Sequence, residues 1–374
     1  MKINVILGTR PEIIRLSAII KFLDKLFELK VIHTGQNYDP ELSKIFFDDL
    51  GLREPDFYLD LGKTSSNSVS LIGEIISGVD QILEETNPDC VLVLGDTNSA
   101  LGVLGAKKRK IPIFHYEAGN RCFDERVPEE INRKIVDHIS DINLTYSEFA
   151  RQNLLKEGLP QDRVINIGSP MREVIDENIK KINGSSALKS LALETNKYFM
   201  VTFHREENLD LGNNLNNFAS VMDEISKKYD YPILMSIHPR TEKKLEHLGI
   251  KLHSNVKTMK PFNFSDFITL QKNSIAVLSD SGTITEESSI LKFPAINLRE
   301  SFERQEGLTE GNVFLTGLNK KLIIKTIDLI LSKSLCPNDF LDIKDYSPPN
   351  ISKKLPSLLI SLTDFINREV YKKY

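Results

Sequence analysis

Short apolar runs alternate along the chain with longer segments in which apolar residues recur at helical spacing. INVILG, from Ile3, precedes an amphipathic stretch from Pro11 to about Phe27. The same order recurs in KVIHTG with PELSKIFFDDLG, and in CVLVLGD with SALGVLGAKKRK. The apolar runs are nearly continuous, as expected of strands that are covered on both faces. The pattern predicts repeated βα units and a parallel sheet with helices on both faces.

This alternation occurs twice. The first series closes with RVINIGSP, and the second comprises YFMVTFH, YPILMSIHP, NVKTMKP, IAVLSDSG and PAINLRE. The pattern predicts an α/β protein with two doubly wound, Rossmann-like domains facing a cleft. We place the N-terminal domain at residues 1–170, a connection at 171–197, the C-terminal nucleotide-binding domain at 198–350, and a C-terminal helix at 351–374. Whether that helix packs back on the first domain is left open.

Polar residues follow almost every predicted strand. They lie in GTRPE, GDTNS, HYEAGNR, GSP, FHREE, HPR, SDSGT and RESFERQEG. In open parallel sheets, ligands bind beyond the carboxyl ends of the strands. Two domains facing each other would therefore line a cleft with these segments.

Composition narrows the class of ligand. The chain has 374 residues and a net charge of −4, which gives no basic footprint for nucleic acid. Its three cysteines form no C-x-x-C pair or disulfide framework, which fits a reducing cytoplasm. No run approaches the roughly 18 apolar residues that span a bilayer, so we expect neither a membrane partner nor a targeting segment.

The segment HYEAGNRCFDERVPEEINRK carries the densest charge in the chain. Part of it has a structural explanation: Glu129 and Glu130 suit a first helical turn, and they precede Arg133 and Lys134 by four residues. The buried face of that helix is predicted to be Ile131, Ile135 and Ile139. Glu117 is different, because it directly follows an apolar strand, where a carboxylate is costly unless paired. Residue type alone leaves its structural and functional interpretations equally weighted.

Two further strand ends carry candidate chemistry. Asp96, after CVLVLG, is either a helix N-cap or a carboxylate in the cleft, and the pattern does not separate the two. In SDSGTITEESSIL we expect a helix to begin at about Gly282, whose free N–H groups would favour an anion. Glu286 or Glu287 would then reach a ribose hydroxyl. The structural alternative is an ordinary N-cap by Ser281.

No G-x-G-x-x-G and no G-x-x-x-x-G-K-[ST] segment occurs, which disfavours a Rossmann NAD site and a P-loop. No spaced His/Cys cluster suggests a metal. Cationic side chains do stand where a diphosphate would meet them: Arg10, Arg15, Arg304, His204 and His238. The residues alone thus predict a two-domain α/β enzyme that binds an anionic, nucleotide-like ligand.

A set of motifs, in order over nearly the whole chain, resembles a known family. GTRPEIIR, HTGQNYD, GDTNS, the charged segment above, GSP, HREEN, HPR and DSGTITEESSI are similar to the non-hydrolysing UDP-N-acetylglucosamine 2-epimerases, which have the glycosyltransferase-B type fold. The loop GNRCFDERVPEE is two residues shorter than in the general epimerases. It resembles the branch that converts UDP-2-acetamido-2,6-dideoxy-L-talose to UDP-N-acetyl-L-fucosamine for capsule or O-antigen. DSGTITEESS points the same way.

The resemblance implies a mechanism and a set of roles. UDP is eliminated across C1–C2 and added back, with a proton delivered to the other face, and no cofactor is needed. Asp96, Glu117, Glu129 and His204 match the family's catalytic positions, with Glu117 and Glu129 as acid/base groups at C2. The matching UDP-binding positions are Arg10, Arg15 and Arg304 at the diphosphate, Ser281, Gly282 and Thr283 by backbone N–H, Glu287 at the ribose and Phe267 at the uracil. A homodimer is the family expectation.

Three departures from the family pattern bear on these roles. Arg15 stands where many members have lysine, which alters the geometry of a phosphate contact. ERQEG replaces ERPEG beside Arg304. QNYDP differs from the segment that binds allosteric UDP-N-acetylglucosamine in some members, so we expect this activator not to be required.

Several other functions stay open at this level. The nearest is the general UDP-N-acetylglucosamine/UDP-N-acetylmannosamine 2-epimerase, for which the loop from Asn120 to Pro128 is the discriminator. The others are a glycosyltransferase of the same fold, a catalytically silent nucleotide-sugar sensor and a hydrolysing epimerase.

Overall fold

The protein folds into two compact units, which are described separately. The computed structural model describes residues 1–36, 40–61, 67–205, 208–209, 213–332 and 342–373. Unit 1 comprises Met1–Glu177 and Lys344–Tyr374, and unit 2 comprises Asn178–Ile343. Within the described residues, no helix is long and apolar enough to cross a membrane.

Unit 1 contains a seven-stranded sheet in which every strand pairing is parallel, in the order β3-β2-β1-β4-β5-β6-β7. The strands are β1 Lys2–Leu7, β2 Glu28–His33, β3 Phe57–Tyr58, β4 Cys90–Leu94, β5 Ile113–Ala118, β6 Ile142–Thr145 and β7 Val164–Asn166. The helices are α1 Arg10–Leu23, α2 Pro40–Leu50, α3 Ser68–Thr86, α4 Val103–Lys108, α5 Pro128–Ile139, α6 Glu148–Lys156 and α7 Met171–Asn183, the last of which runs on into unit 2.

Unit 2 repeats this plan with a six-stranded parallel sheet in the order β10-β9-β8-β11-β12-β13. Its strands are β8 Phe199–Thr202, β9 Ile233–Ser236, β10 Val256–Met259, β11 Val277–Ser279, β12 Ala295–Asn297 and β13 Val313–Leu315. Its helices are α8 Ala187–Ser190, α9 Asn214–Lys228, α10 Pro239–His247, α11 Phe264–Lys272, α12 Ile284–Leu291, α13 Gln305–Thr309 and α14 Lys320–Leu331. Helix α15, Ile351–Phe365, belongs to unit 1 and continues into a π-helical turn at Ile366–Val370.

The predicted fold class, with two doubly wound α/β domains in tandem, is confirmed. Strands β3 and β13 were not predicted from the sequence, because two or three residues are too few to show a hydrophobic period. The helix expected after β4 begins as a 3₁₀ segment, Asn98–Gly102, before α4.

The division between the units differs from the sequence boundaries. The segment 171–197 is not a simple connection, because α7 is a continuous helix whose residues up to Glu177 pack with unit 1. Unit 1 also takes in residues from Lys344 onward, earlier than the predicted helix at 351. Helix α15 packs against α1, with Ile351, Leu355 and Leu359 fully buried.

Each sheet has one switch point, where the strand order turns from one side to the other. In unit 1 it lies between β1 and β4, and in unit 2 between β8 and β11. Ligands of doubly wound sheets bind at the carboxyl ends of such strand pairs. These ends lead into Thr9–Arg10 and Asp96–Thr97 in unit 1, and into His204 and Asp280–Thr283 in unit 2.

Candidate active site

The switch point of unit 1 is organised around a buried acid, Glu12. Its carboxylate accepts hydrogen bonds from the N–H groups of Gly8 (2.5 Å) and Thr9 (2.9 Å), which closes the first turn of α1. Its other oxygen accepts the hydroxyl of Thr97 at 2.5 Å. Burial raises the pKa of Glu12 to about 7, although these hydrogen bonds oppose the shift. Glu12 therefore joins the loop after β1 to the loop that carries Asp96.

Glu117 occupies a strained position in β5. Its backbone has φ +70°, which a residue with a side chain rarely adopts, and the register with β6 shifts between Tyr116 and Ala118. Such strain persists only where the surroundings enforce it, and it concentrates at functional sites. The bulge sends the Glu117 carboxylate to Arg15, whose Nη1 lies 2.5 Å away. The two side chains are only 8% and 7% exposed.

Arg15 therefore has a protein partner that the sequence did not indicate. A guanidinium at this distance stabilises negative charge on Glu117, and a buried carboxylate needs such a partner. Arg15 also lies 5.7 Å from the centre of the Tyr146 ring. Arg10, five residues earlier, is half-buried and lies 5.5 Å from the ring of Phe46.

Asp96 is held by α5 and does not cap a helix. The 3₁₀ segment after β4 has Thr97 as its N-cap, so the N-cap interpretation of Asp96 is wrong. Arg133 binds the Asp96 carboxylate through Nε at 2.8 Å and Nη2 at 2.6 Å. Asn132 donates to the Asp96 carbonyl at 3.0 Å. Sequence reasoning missed Arg133, because its spacing from Glu129 fits a surface pair equally well.

The orientation of α5 overturns the prediction for its buried face. Ile131 and Ile135 are 49% and 43% exposed, whereas the buried residues of the helix are Glu130, Asn132, Arg133, Val136 and Asp137. Polar groups this deeply buried require partners, and the site supplies them. Helix α5 thus presents its charged face to the loops that follow β4 and β5.

Glu130 fixes the loop between the two candidate acid/base groups. This fully buried carboxylate accepts the N–H groups of Cys122 and Phe123, each at 3.2 Å, and pairs with Arg133 at 3.1 Å. Phe123 has φ +56° and is 76% exposed. Glu129, the neighbouring candidate, is half-buried in the first turn of α5.

A second network of buried charged residues contacts the loops that follow β4 and β5. Asp137 lies 2.9 Å from His115 and 2.7 Å from Arg121, and both contacts are inaccessible to solvent. Burial acts to raise the pKa of Asp137, but His115 and Arg121 outweigh it and lower that pKa. His115 also hydrogen-bonds the carbonyl of Gly95 at 2.8 Å. The network thus ties the residue before Asp96 to the loop after Glu117.

In unit 2, His204 leaves the end of β8 and pairs with Asp280 at the end of β11. The His204 ring is 30% exposed, and its Nδ1 lies 3.2 Å from Oδ1 of the fully buried Asp280. Burial acts to raise the pKa of Asp280, but His204 and the donors around it bring that pKa down to about 2. His238, the other histidine that follows a strand, accepts the N–H of Arg240 and caps α10.

The helix that follows Asp280 starts later than predicted. Helix α12 begins at Ile284, two residues after Gly282, and the Ser281 and Thr283 hydroxyls lie 3.0 Å apart. Ser281 is not the N-cap of this helix. A Cβ at Gly282 would lie 2.6 Å from Oε1 of Glu303, so the glycine leaves room for this carboxylate.

The remaining candidates of unit 2 surround α12. Glu287 accepts a hydrogen bond from Gln271 at 2.6 Å, while Glu286 pairs with Arg304 at 3.0 Å. Both carboxylates are buried, and Arg304 is only 1% exposed. Phe267 is half-buried on α11. The structure thus groups the candidates into a carboxylate cluster in unit 1 and a histidine, a glycine turn and an arginine in unit 2.

Two candidate segments lie partly or wholly outside the described residues. Residues 37–39 of QNYDP, where the activator prediction rests, are among them, and so are Glu206 and Glu207 of HREEN.

Comparison with known proteins gives a consistent result. A family model described as UDP-N-acetylglucosamine 2-epimerase matches residues 22–357. The UDP-N-acetylglucosamine 2-epimerase of Methanocaldococcus jannaschii is 40% identical over 342 residues, which cover 89% of this chain and 93% of that protein. Its crystal structure in complex with UDP-GlcNAc and UDP superposes with a TM-score of 0.90 at 36% identity, covering 96% and 99% of the two chains. The structure of UDP-N-acetylglucosamine 2-epimerase from Rickettsia bellii is 43% identical, covers 100% of both chains and has a TM-score of 0.92.

Proposed function

The chain belongs to the UDP-N-acetylglucosamine 2-epimerase family, and from that premise we propose that it interconverts UDP-2-acetamido-2,6-dideoxy-L-talose and UDP-N-acetyl-L-fucosamine. The coarser activity is that of the family: the chain is a non-hydrolysing UDP-sugar 2-epimerase. The sugar is the proposed part, together with the residues that act on it.

The reaction must invert a carbon whose proton is weakly acidic, because C2 of a 2-acetamido sugar has no adjacent ketone. Elimination avoids this difficulty. A carboxylate removes the C2 proton, the C1–O bond breaks with its electron pair passing to UDP, and a 2-acetamidoglycal remains bound. UDP then adds back at C1 while a second acid delivers a proton to the opposite face of C2. Atoms and charge balance without an oxidant.

The geometry of unit 1 supports Glu117 and Glu129 as the two groups at C2. Glu117 is a buried, strained carboxylate whose charge Arg15 stabilises, and Glu129 lies at the start of α5. Asp96, which Arg133 orients, assists them. Arg15 contacts Glu117, and we propose that it also binds the diphosphate.

Unit 2 supplies the proposed nucleotide contacts. Backbone N–H groups of Ser281, Gly282 and Thr283 precede α12 and would hold phosphate. His204 and Arg304 stabilise the charge that develops on the departing diphosphate. Arg10, which belongs to unit 1, is proposed for the same role. Glu287 binds the ribose, and Phe267 contacts the uracil.

The loop between Glu117 and Glu129 is the observation that carries the proposed sugar. Any sugar whose C2 meets both carboxylates lies beside this loop, because the loop joins them. The Glu130 carboxylate accepts hydrogen bonds from the backbone of this short loop and so fixes its conformation. The aromatic ring of Phe123 in the loop is exposed. An apolar ring suits the C6 methyl group of a 6-deoxy sugar better than it suits a hydroxymethyl group.

The second candidate is the general UDP-N-acetylglucosamine 2-epimerase. The names of the M. jannaschii and R. bellii proteins favour it. The two candidates share the elimination chemistry and differ in the substituent at C6 and in the sugar series.

Proton NMR in D₂O with each UDP-sugar separately tests the proposal. We expect UDP-2-acetamido-2,6-dideoxy-L-talose to lose its H2 signal while the C2 epimer appears, and UDP-N-acetylglucosamine to stay unchanged. Exchange with UDP-N-acetylglucosamine alone would replace the proposed substrate with the general one. Exchange with neither sugar would contradict both.

We further propose that the product is consumed in capsule or O-antigen synthesis and that the enzyme acts in the cytoplasm. Two other proposals have direct tests: that the enzyme is a homodimer, and that it does not require UDP-N-acetylglucosamine as an activator. Sedimentation of the purified protein tests the dimer. Turnover of the L-talose nucleotide with no UDP-N-acetylglucosamine present tests the last point, and activity that appears only on its addition would contradict it.

A further inference from the structure

His204 is 30% exposed on its side chain, and one edge of its ring faces the protein. That edge carries Nδ1, which lies 3.2 Å from Oδ1 of Asp280. The other ring nitrogen, Nε2, is the one left to meet a ligand. A histidine that must act through a single nitrogen depends on the partner of its second nitrogen to set its tautomer.

The two carboxylate oxygens of Asp280 contact different groups. Oδ2 accepts three hydrogen bonds, from the N–H groups of His204 (2.8 Å) and Arg205 (2.9 Å) and from Nδ2 of Asn208 (3.2 Å). Oδ1 accepts none of these three, and His204 Nδ1 lies 3.2 Å from it. One oxygen therefore fixes the backbone at the end of β8, and the other faces the imidazole ring.

We propose that Asp280 is the positioning residue of His204: it holds the proton on Nδ1, aims Nε2 at the diphosphate and compensates the charge of the imidazolium while UDP departs. This inference rests on the proposed function, in which His204 stabilises the leaving group. Asp280 touches neither the sugar nor UDP and acts through His204 alone.

The buried position of Asp280 makes this pairing strong. The carboxylate is inaccessible to water, so solvent screens its attraction for a positive imidazole ring less than it would at the surface. Asp280 accepts no proton during the cycle, since its pKa is about 2. The proton from C2 passes to the carboxylates of unit 1, and the electron pair of the C1–O bond passes to UDP. With its Nδ1 proton held by Asp280, His204 takes up a second proton from water at Nε2, and this positive N–H group faces the diphosphate.

Asparagine at position 280 separates the positioning role from a merely structural one. The three donors around Oδ2 require an acceptor, so the amide oxygen of Asp280→Asn takes that place. The amide NH₂ then faces Nδ1 and donates to it. The backbone contacts survive, while the neutral His204 ring is driven to the tautomer with its proton on Nε2.

The kinetic test is a double-mutant cycle with the full chain. We expect Asp280→Asn and His204→Asn each to lower kcat on the order of 10²-fold, with a smaller effect on KM. The double variant should be no slower than His204→Asn, because both changes remove the same oriented group. Multiplicative losses in the double variant would overturn the proposal, since they would mean that Asp280 acts independently of His204.

A second readout needs no turnover. In ¹⁵N-histidine-labelled protein at pH 8, with His204→Asn identifying the signal, we expect Nδ1 of His204 to carry the proton in the wild type. Asp280→Asn should move it to Nε2. An unchanged tautomer would refute the positioning role even if the enzyme is active.

The two hypotheses fail in different ways. Wild-type enzyme that epimerises no UDP-sugar would defeat the proposed function and leave the tautomer result intact. Asp223→Asn is the matched control, because Asp223 lies on α9 with a side chain that is 44% exposed and pairs with Lys227. It should match the wild type in kcat and in the tautomer of His204, and a loss there equal to that of Asp280→Asn would overturn the assignment.

Discussion

Single residues at the strand ends combine burial, charge and backbone strain. Glu117 has a left-handed backbone and a buried ion pair with Arg15. Glu12 is a buried acid whose pKa lies far above its ordinary value. Both conditions cost free energy of folding, so their presence in neighbouring parts of unit 1 argues for function rather than for stability.

Glu117→Gln removes the proposed acid/base group while keeping the size of the side chain. We expect exchange of the C2 proton to fall by about 10²- to 10⁴-fold. Deuterium incorporation at C2, followed by NMR, measures it. Glu125→Gln is the control, because Glu125 lies in the adjoining loop with a side chain that is 76% exposed. Equal losses in the two variants would contradict a specific role for Glu117.

The raised pKa of Glu12 predicts how stability depends on pH. Between the ordinary carboxyl pKa of 4.5 and the pKa of about 7 in the folded protein, the folded protein holds a proton that the unfolded chain releases. The free energy of unfolding therefore falls as the pH rises through this window, by roughly 3 kcal/mol. Urea unfolding at pH 5 and pH 7.5 should show that loss in the wild type and a smaller one in Glu12→Gln, which cannot ionise. The same slope in both proteins would argue against this assignment.

At the scale of elements, α5 determines how the unit 1 cluster is built. The helix turns Glu130, Arg133 and Asp137 inward, where they hold the loops after β4 and β5. Its isoleucines at positions 131 and 135 face outward. Hydrophobicity alone would bury the isoleucine face of the helix. The buried ion pairs and hydrogen bonds of the charged face therefore determine the orientation of α5.

Two neighbouring substitutions in α5 test that orientation. Val136 is inaccessible and Ile135 is 43% exposed. We expect Val136→Ala to lower the free energy of unfolding by about 2 kcal/mol and Ile135→Ala to change it by less than about 0.5 kcal/mol. Urea unfolding followed by circular dichroism gives both values. The reverse order would mean that the isoleucine face is the buried one.

At the scale of the whole molecule, both ends of the chain build unit 1. The segment from Lys344 onward returns to it, and Glu173 receives the N–H (2.9 Å) and hydroxyl (2.5 Å) of Ser352. The C-terminal helix also packs against α1, which carries Glu12 and Arg15, so residues from both ends of the chain support this part of unit 1.

Leu359 and Ile360 of α15 give a matched pair at this scale. Leu359 is inaccessible, and Ile360 is 55% exposed. We expect Leu359→Ala to destabilise unit 1 by about 2–5 kcal/mol and Ile360→Ala by less than about 0.5 kcal/mol. Hydrogen exchange should show the loss in the strands of unit 1. Faster exchange confined to unit 2 would contradict the assignment of α15 to unit 1.

The sequence by itself determined the alternation of strands and helices, the two parallel sheets and the strand ends at which the candidate residues lie. These follow from local periodicity, because an apolar run or a 3.6-residue repeat is read within a few neighbouring residues. The positions of Asp96, His204 and Ser281 beyond strands were predictable for this reason. Glu117, expected directly after a strand, instead lies within β5 at a register shift, which no local pattern indicates. The family motifs supplied the roles that periodicity does not.

Only the tertiary structure showed which residues form ion pairs and hydrogen bonds with the candidate site residues. Arg15 meets Glu117 across 102 residues, Arg133 meets Asp96 across 37, and Asp280 meets the backbone of His204 across 76. No local pattern encodes such pairs, because strand order and helix rotation bring them together. The strain at Glu117, the inward charges of α5 and the return of the C-terminal helix to unit 1 are likewise set by packing over the whole unit.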